Sequence, residues 1–235
     1  MIQLRLKGMA EAYQEQNNVS EYTQWTFEER LAHLIDREAD VKYDSKIKRL
    51  IQNAHLPENQ AYIDGIKYYS DRGLNKDLIQ ELKTNKYITA PHNVIIVGPT
   101  GSGKSYISCA LGYEACLHGM RTKYVRLPDL LTEIALAKAE ATFSKLLNRY
   151  ERLDLLIIDE WVLMAISTVQ AAELLEIIER RYRTKATILC SQFSVGGWHE
   201  RLGGGAVADA ILDRLVSRSK KIEIQSERSM RERID

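Results

Sequence analysis

Residues 93–118 leave few folds open. Val94-Ile95-Ile96-Val97 is apolar without alternation, so a strand built from it must be covered on both faces. It runs straight into Gly98-Pro99-Thr100-Gly101-Ser102-Gly103-Lys104-Ser105. A helical pattern then extends from Ser102 to His118, and Gly119 stops it. A doubly covered strand that feeds a helix through a glycine-rich turn opens a parallel α/β sheet.

The rest of the chain agrees. Thr122–Arg126, Leu155–Glu160, Ala186–Gln192 and Lys220–Gln225 read as four more strands. Between them lie a helical stretch opened by Pro128 and reaching about Arg152, a helix over Val169–Tyr182, and a short one over Ala208–Leu215. A glycine-rich loop spans 196–205. Before residue 90 the signals are helical. Leu4, Leu6, Met9, Ala10 and Tyr13 mark a short helix. Thr26 and Glu29 form a capping box for a second helix, reaching about Asn53 before Pro57. Asn75 caps a third, Lys76–Lys83. The expected organisation is a helical N-terminal domain over 1–60, a linker and lead-in helix over 61–90, and an α/β domain over 91–235.

The loop 98–105 is G-x-x-x-x-G-K-S between a strand and a helix, the context in which this motif binds phosphate. Its glycines let backbone N–H groups converge on an anion, and the helix N-terminus adds unpaired donors. Lys104 is expected to reach the β- and γ-phosphates of a nucleotide, and Ser105 to offer its hydroxyl to Mg²⁺. The candidate nucleotide-binding set is Gly98, Pro99, Thr100, Gly101, Ser102, Gly103, Lys104, Ser105 and Tyr106. A glycine-rich turn that binds nothing is the alternative, and the complete motif in this context speaks against it.

Leu155–Glu160 is an apolar strand ending in two acids. A carboxylate there is costly unless a cation or strong donors meet it. Asp159 suits the Mg²⁺ shell, as a Walker B aspartate does, and Glu160 can polarise an attacking water. In a parallel sheet ligands lie beyond the carboxyl ends of strands. That makes Gln192, after the fourth strand, a candidate γ-phosphate contact; a plain loop amide remains the other reading. Arg214 and Arg218 share one helical face and could stabilise charge on a transferring phosphoryl group in a neighbouring subunit. The residues alone favour the alternative, a solvated, charged helix end.

Composition closes some classes. Of the 235 residues 45% are hydrophobic, which supports a sizeable core. Lys and Arg number 33 against 32 Asp and Glu, so an argument for a polyanionic partner must rest on local patches. Apolar runs fall short of the roughly 18 residues a membrane span needs. The amphipathic N-terminus, with early acids, does not read as a signal peptide. Cys109, Cys116 and Cys190 form no CxxC pair and fit buried thiols in a reducing cytoplasm.

The order of GPTGSGKS, LDLLIIDE, ATILCSQF and AILDRLVSRSKKIEI resembles AAA+ ATPases. The lead-in GLNKDLIQELKTNKYI and the stretch SYISCALGYEACLHGMRTKYVRLPDLL are more specifically similar to IstB-like ATP-binding proteins, helpers of insertion-sequence transposases, and their relatives the DnaC helicase loaders. The resemblance implies an AAA+ P-loop core with a five-stranded parallel sheet, no C-terminal helical lid, and a small all-α N-terminal domain. It implies ATP and Mg²⁺ as cofactors and hydrolysis of ATP. It places Arg214 at the arginine-finger position, with Arg218 second, Gln192 at the sensor-1 position, and Arg231 where a terminal sensor-like arginine stands. It further implies a cytoplasmic homo-oligomer, a ring or spiral with ATP at protomer interfaces, that assembles on duplex DNA and activates a partner transposase. A DnaC-like loader and a DNA-binding switch that binds ATP without turnover are the alternatives.

Three basic places could meet DNA phosphates: Lys42, Lys46, Lys48 and Arg49 on the long helix; Lys138, Lys145 and Arg149 after the second strand; and the glycine-rich loop with Trp198, His199 and Arg201. Each could equally be a solvated charged face. Repetition of one small patch around an assembly would add affinity through multivalency.

Overall fold

A computed structural model describes residues 1–58, 60–226 and 228–233. The chain divides into two compact units, Met1–Arg49 and Leu50–Asp235.

The first unit holds helix α1 (Lys7–Asn18) and the N-terminal part of α2 (Phe27–Ala54). The capping box forms as the sequence predicts: Glu29 N donates to Thr26 Oγ1 at 3.3 Å, and Thr26 N to Glu29 Oε2 at 2.8 Å. α1 meets α2 at Gly8, where a Cβ would lie 2.5 Å from the Arg37 carbonyl oxygen. Met9 N donates to the buried Glu38 carboxylate beside it. Tyr22, Trp25 and His33 stack as a small aromatic cluster.

In the second unit, α3 (Lys76–Lys83) and the short α4 (Lys86–Thr89) precede the sheet. Asn75 Oδ1 accepts from Leu78 N at 3.0 Å and caps α3. Then follow β1 (Asn93–Val97), α5 (Lys104–Leu117), β2 (Thr122–Arg126), α6 (Leu127–Ala139), α7 (Phe143–Glu151), β3 (Leu155–Asp159), α8 (Thr168–Arg181), β4 (Ala186–Ser191), α9 (Trp198–Arg201), α10 (Gly205–Val216) and β5 (Ser219–Glu223). The strands pair in parallel in the order β2-β3-β4-β1-β5. This is the five-stranded parallel sheet that the resemblance implies. Among the described residues no helix is long and apolar enough to cross a membrane.

The absence of alternation in the strands is explained by two cores. Val94, Ile96, Ile157 and Ile188 face one layer, with Ile107 and Leu111 of α5 and Ile79 and Leu82 of α3. Ile95, Leu156, Ile158 and Leu189 face the other, with Ile134, Leu147, Leu174 and Ile211 from α6, α7, α8 and α10. Ala61, Ile63 and Ile66 belong to the first core, so the stretch after Pro57 packs under the sheet. All three cysteines are buried thiols, as expected.

Two expectations are corrected. The helical stretch from Pro128 to Arg152 is two helices. Ala141, at φ 54°, ends α6, with Ala141 N donating to Lys138 O and Thr142 N to Ala137 O. That is a Schellman ending with alanine where glycine is usual, so no glycine announced it. The glycine-rich loop is no DNA-facing surface at Trp198 either. Trp198 is fully buried against Trp161, and its Nε1 donates to Phe193 O at 2.9 Å. Arg201 donates to the carbonyls of Val162 and Leu163 and covers the Phe193 ring.

The lower edge of the sheet, where strands begin, is stapled by polar side chains. Buried Arg181 donates to the carbonyls of Tyr150 and Leu153 and to Thr187 Oγ1. Asn93 Oδ1 accepts from Thr187 N at 3.0 Å, while its Nδ2 donates to the carbonyls of Arg214 at 3.2 Å and Leu215 at 3.1 Å. One amide thus fixes β4 and the end of α10 to β1. Asn93→Ala leaves these groups without partners and should lower unfolding free energy by about 2 kcal/mol; urea denaturation followed by circular dichroism measures it.

Candidate functional site

The upper edge, where strands end, carries the chemistry. After β1 the chain turns through Gly101 at φ 77° and Gly103 at φ 89°, backbone that a side chain would strain, and enters α5 at Lys104. The Lys104 ammonium lies across this loop and donates to the carbonyls of Gly98 and Pro99, both at 2.8 Å. Burial holds its pKa below the ordinary lysine value. Neutral carbonyls are weak partners for a desolvated cation, so a phosphate would compete for it effectively.

At the end of β3, Asp159 is buried and accepts three hydrogen bonds. Its Oδ2 accepts from Ser105 Oγ at 2.6 Å and from Tyr124 OH at 2.7 Å; its Oδ1 accepts from Glu160 N at 2.7 Å. Burial and the Asp159 charge push the Tyr124 phenol upward, so it stays a donor. Glu160 follows in left-handed backbone, φ 54°, with Oε2 3.7 Å from Arg126 Nε. The same Arg126 nitrogen is 3.1 Å from Asp129 Oδ2.

The end of β4 completes the edge. Thr100 Oγ1 donates to Gln192 Oε1 at 2.9 Å, which brings Gln192 against the loop. Ser191 is turned inward, donating to Trp161 O. Lys104, Ser105, Asp159, Glu160 and Gln192, drawn from three strand ends, therefore share one end of the sheet.

Arg214 and Arg218 do not join them. β1 starts at Asn93 and pairs there with Ser219, so Arg218 stands at the lower edge, about 13 Å of strand below the loop. Arg214 lies near it on α10, paired with Glu179, donating to Ala210 O and set over the Tyr182 ring. Of the cations considered for DNA, Lys42 pairs with Glu38, Lys138 with Glu173 and Arg149 with Glu133. Lys46, Lys48, Arg49 and Lys145 are exposed.

A cavity of about 410 Å³ opens beside the loop. Tyr62, Gly65 and Tyr106 form an aromatic side, and Lys67, Arg72, Lys104 and Arg231 line it with cations. A Cβ on Gly65 would lie 2.4 Å from Tyr106 OH, so glycine permits that approach. Buried Arg72 donates to Ser102 O at 2.7 Å, and Met230 N donates to Gly101 O at 2.8 Å. Tyr62, Gly65, Lys67, Arg72 and Tyr124 escaped the sequence reading. The tyrosines at 62, 68 and 69, in the stretch ahead of α3, were the available sequence signal.

The family model described as IstB-like ATP binding protein matches residues 1–235. The chain belongs to that family. It is similar to the insertion sequence ATP-binding protein y4pL of Sinorhizobium fredii, with 38% identity over 94% of this chain and 90% of that protein. It is also similar to the IS1162 ATP-binding protein of Pseudomonas fluorescens, at 37% identity over 81% and 82% of the two chains. Among solved structures, the DnaC helicase loader superposes with a TM-score of 0.59 at 19% identity, over 70% of this chain and 96% of the loader. The replication initiator DnaA bound to AMPPCP and single-stranded DNA gives 0.61 at 21% identity, and the chain spans about half, 52%, of that initiator. At these identities the two structures establish the AAA+ fold.

The donor set fits Mg²⁺. Ser105 and Asp159 offer hard oxygens 2.6 Å apart at the mouth of the phosphate loop. Among the described residues no cluster of three or more His, Cys, Asp or Glu could hold a metal. Lys104→Ala should abolish tight ATP binding, because the loop loses its own cation; calorimetric titration of the folded variant checks this, and unchanged affinity would place the site elsewhere.

Proposed function

We propose that this protein is a Mg²⁺-dependent ATPase that assembles on duplex DNA and assists a partner transposase of an insertion sequence. The observation that carries the reading is the junction of Ser105, Asp159 and Glu160 at the phosphate loop, in a chain matched along its length by an insertion-sequence ATP-binding family. Lys104 exchanges its carbonyl partners for the β- and γ-phosphates. Ser105 and Asp159 would hold Mg²⁺, which would supply charge neutralisation at those phosphates. Gln192, beside Thr100, orients the γ-phosphate side of the site. Glu160 polarises the attacking water once it leaves Arg126.

Arg214 and Arg218 stand too far from the loop of their own subunit. A neighbouring subunit's triphosphate is the partner that suits them, and this makes the nucleotide a bridge between protomers. Trading the Glu179 pair for a phosphate costs little, since surface ion pairs contribute about 0–1 kcal/mol. For DNA, Lys145 and Arg149 line an open groove of about 690 Å³ with Arg121, Lys123 and Arg152; among the described residues no acid lines it, while Arg121 pairs with Asp154 and both Lys123 and Arg149 with Glu133. Lys42, Lys46 and Arg49 share a second exposed face of α2, with Lys48 exposed to one side of it. Phosphate contacts of this kind need no base sequence. The helicase-loader reading rests on likeness to DnaC in fold; insertion-sequence relatives at 38% identity favour transposition.

Glu160→Gln should retain ATP binding, slow hydrolysis by a factor on the order of 10² or more, and trap a long-lived complex with DNA. Phosphate release and DNA filter binding read both effects. Wild-type turnover in the variant would remove Glu160 from the chemistry; a wild-type protein without turnover would leave an ATP-binding switch.

Arg214→Ala should bind ATP and lose roughly 10³ in rate. Mixing it with Glu160→Gln should recover activity, because one interface then joins an intact arginine to an intact Glu160. No recovery, with assembly confirmed by light scattering, would assign the finger to Arg218 or put Arg214 in a structural role.

A further inference from the structure

We propose that Tyr124 is a positioning residue of the nucleotide site: its hydroxyl holds the Asp159 carboxylate in the orientation that presents it to Mg²⁺ beside Ser105. The inference rests on the reading of the site given above.

The argument starts from the lone pairs of Asp159. A carboxylate has about four places to accept a hydrogen bond. Among the described residues three are filled: Ser105 Oγ and Tyr124 OH on Oδ2, and Glu160 N on Oδ1. The fourth, on Oδ1, receives no donor from the described residues. Ser105 donates a hydrogen bond to Asp159, so these two side chains would together hold Mg²⁺. The three donors are unequal. Glu160 N is the adjacent peptide and follows Asp159 wherever it goes. Ser105 sits on the first turn of α5 and shifts with the phosphate loop. Tyr124 alone is anchored independently of both, on β2, whose pairing with β3 sets Tyr124 opposite Ile157. Its ring packs against the core under the sheet.

With the hydroxyl absent, Oδ2 keeps only the Ser105 donor, and the carboxyl group can rotate toward it. Outer hydrogen bonds of this kind set the orientation of metal-binding carboxylates, and their loss typically costs 10–100-fold in metal affinity. Tyr124→Phe removes the hydroxyl and keeps the ring, so packing is preserved.

A fluorescent, non-hydrolysable ATP analogue, titrated with Mg²⁺ on wild type and Tyr124→Phe, tests the inference. The Mg²⁺ concentration at half-maximal signal should rise roughly tenfold in the variant, while analogue affinity in EDTA stays within about twofold of wild type. A shift below about twofold in Mg²⁺ would overturn the inference. An equal loss of affinity in EDTA and in Mg²⁺ would also overturn it, since the hydroxyl would then hold the loop and not the metal seat. Wild-type protein that ignores Mg²⁺ altogether would sink the reading of the site itself, and the wild-type titration alone reports that.

Discussion

The first turn of α5 and the end of β3 meet at one carboxylate, and the upper edge of the sheet is organised around it. Asp159 is buried, and a buried charge persists only when strong donors meet it. Those donors come from the phosphate loop, from β2 and from its own backbone. Strand order makes the meeting possible. β4 lies between β1 and β3, so the chain after β1 must bend across β4 for Ser105 to reach Asp159. The left-handed glycines of the loop supply the bend. The same crossing leaves Thr100 against Gln192 at the end of β4.

The sequence disclosed what depends on neighbours in the chain. The caps at Thr26 and Asn75, the doubly covered strands and the phosphate loop are short-range patterns with local causes. Features set by distant contacts stayed hidden. The break at Ala141 carries no glycine, so nothing local marked it. Trp198 sits among glycines and a histidine, the composition of an exposed loop, yet Trp161 buries it. Tyr124 reads as an ordinary strand residue until β2 is paired with β3. Arg72 reads as linker until Ser102 is beside it. The motifs were therefore legible as residues, while the partners that orient them were not.

The two edges of the sheet divide the work. The lower edge is held by side chains bonded to backbone: Asn93 to β4 and α10, Arg181 to the ends of α7 and β4. Such bonds bury their donors and are costly to break. The upper edge is held differently. Lys104 rests on carbonyls and Arg126 on two partly exposed carboxylates. Those contacts can be exchanged for a phosphate or a water without exposing apolar surface.

Arg214 belongs to neither pattern. It stands at the rigid lower edge, yet its partner Glu179 is half exposed, and an exposed ion pair adds little to stability. The backbone beneath it is fixed, since Asn93 holds the Arg214 carbonyl. A guanidinium on a fixed backbone with a weakly held head is well suited to contact a partner outside its own chain. Little side-chain order must be created when it changes partner, because the Ala210 carbonyl and the Tyr182 ring already orient it. The phosphate loop of its own subunit lies at the opposite end of the strands, beyond reach of that head.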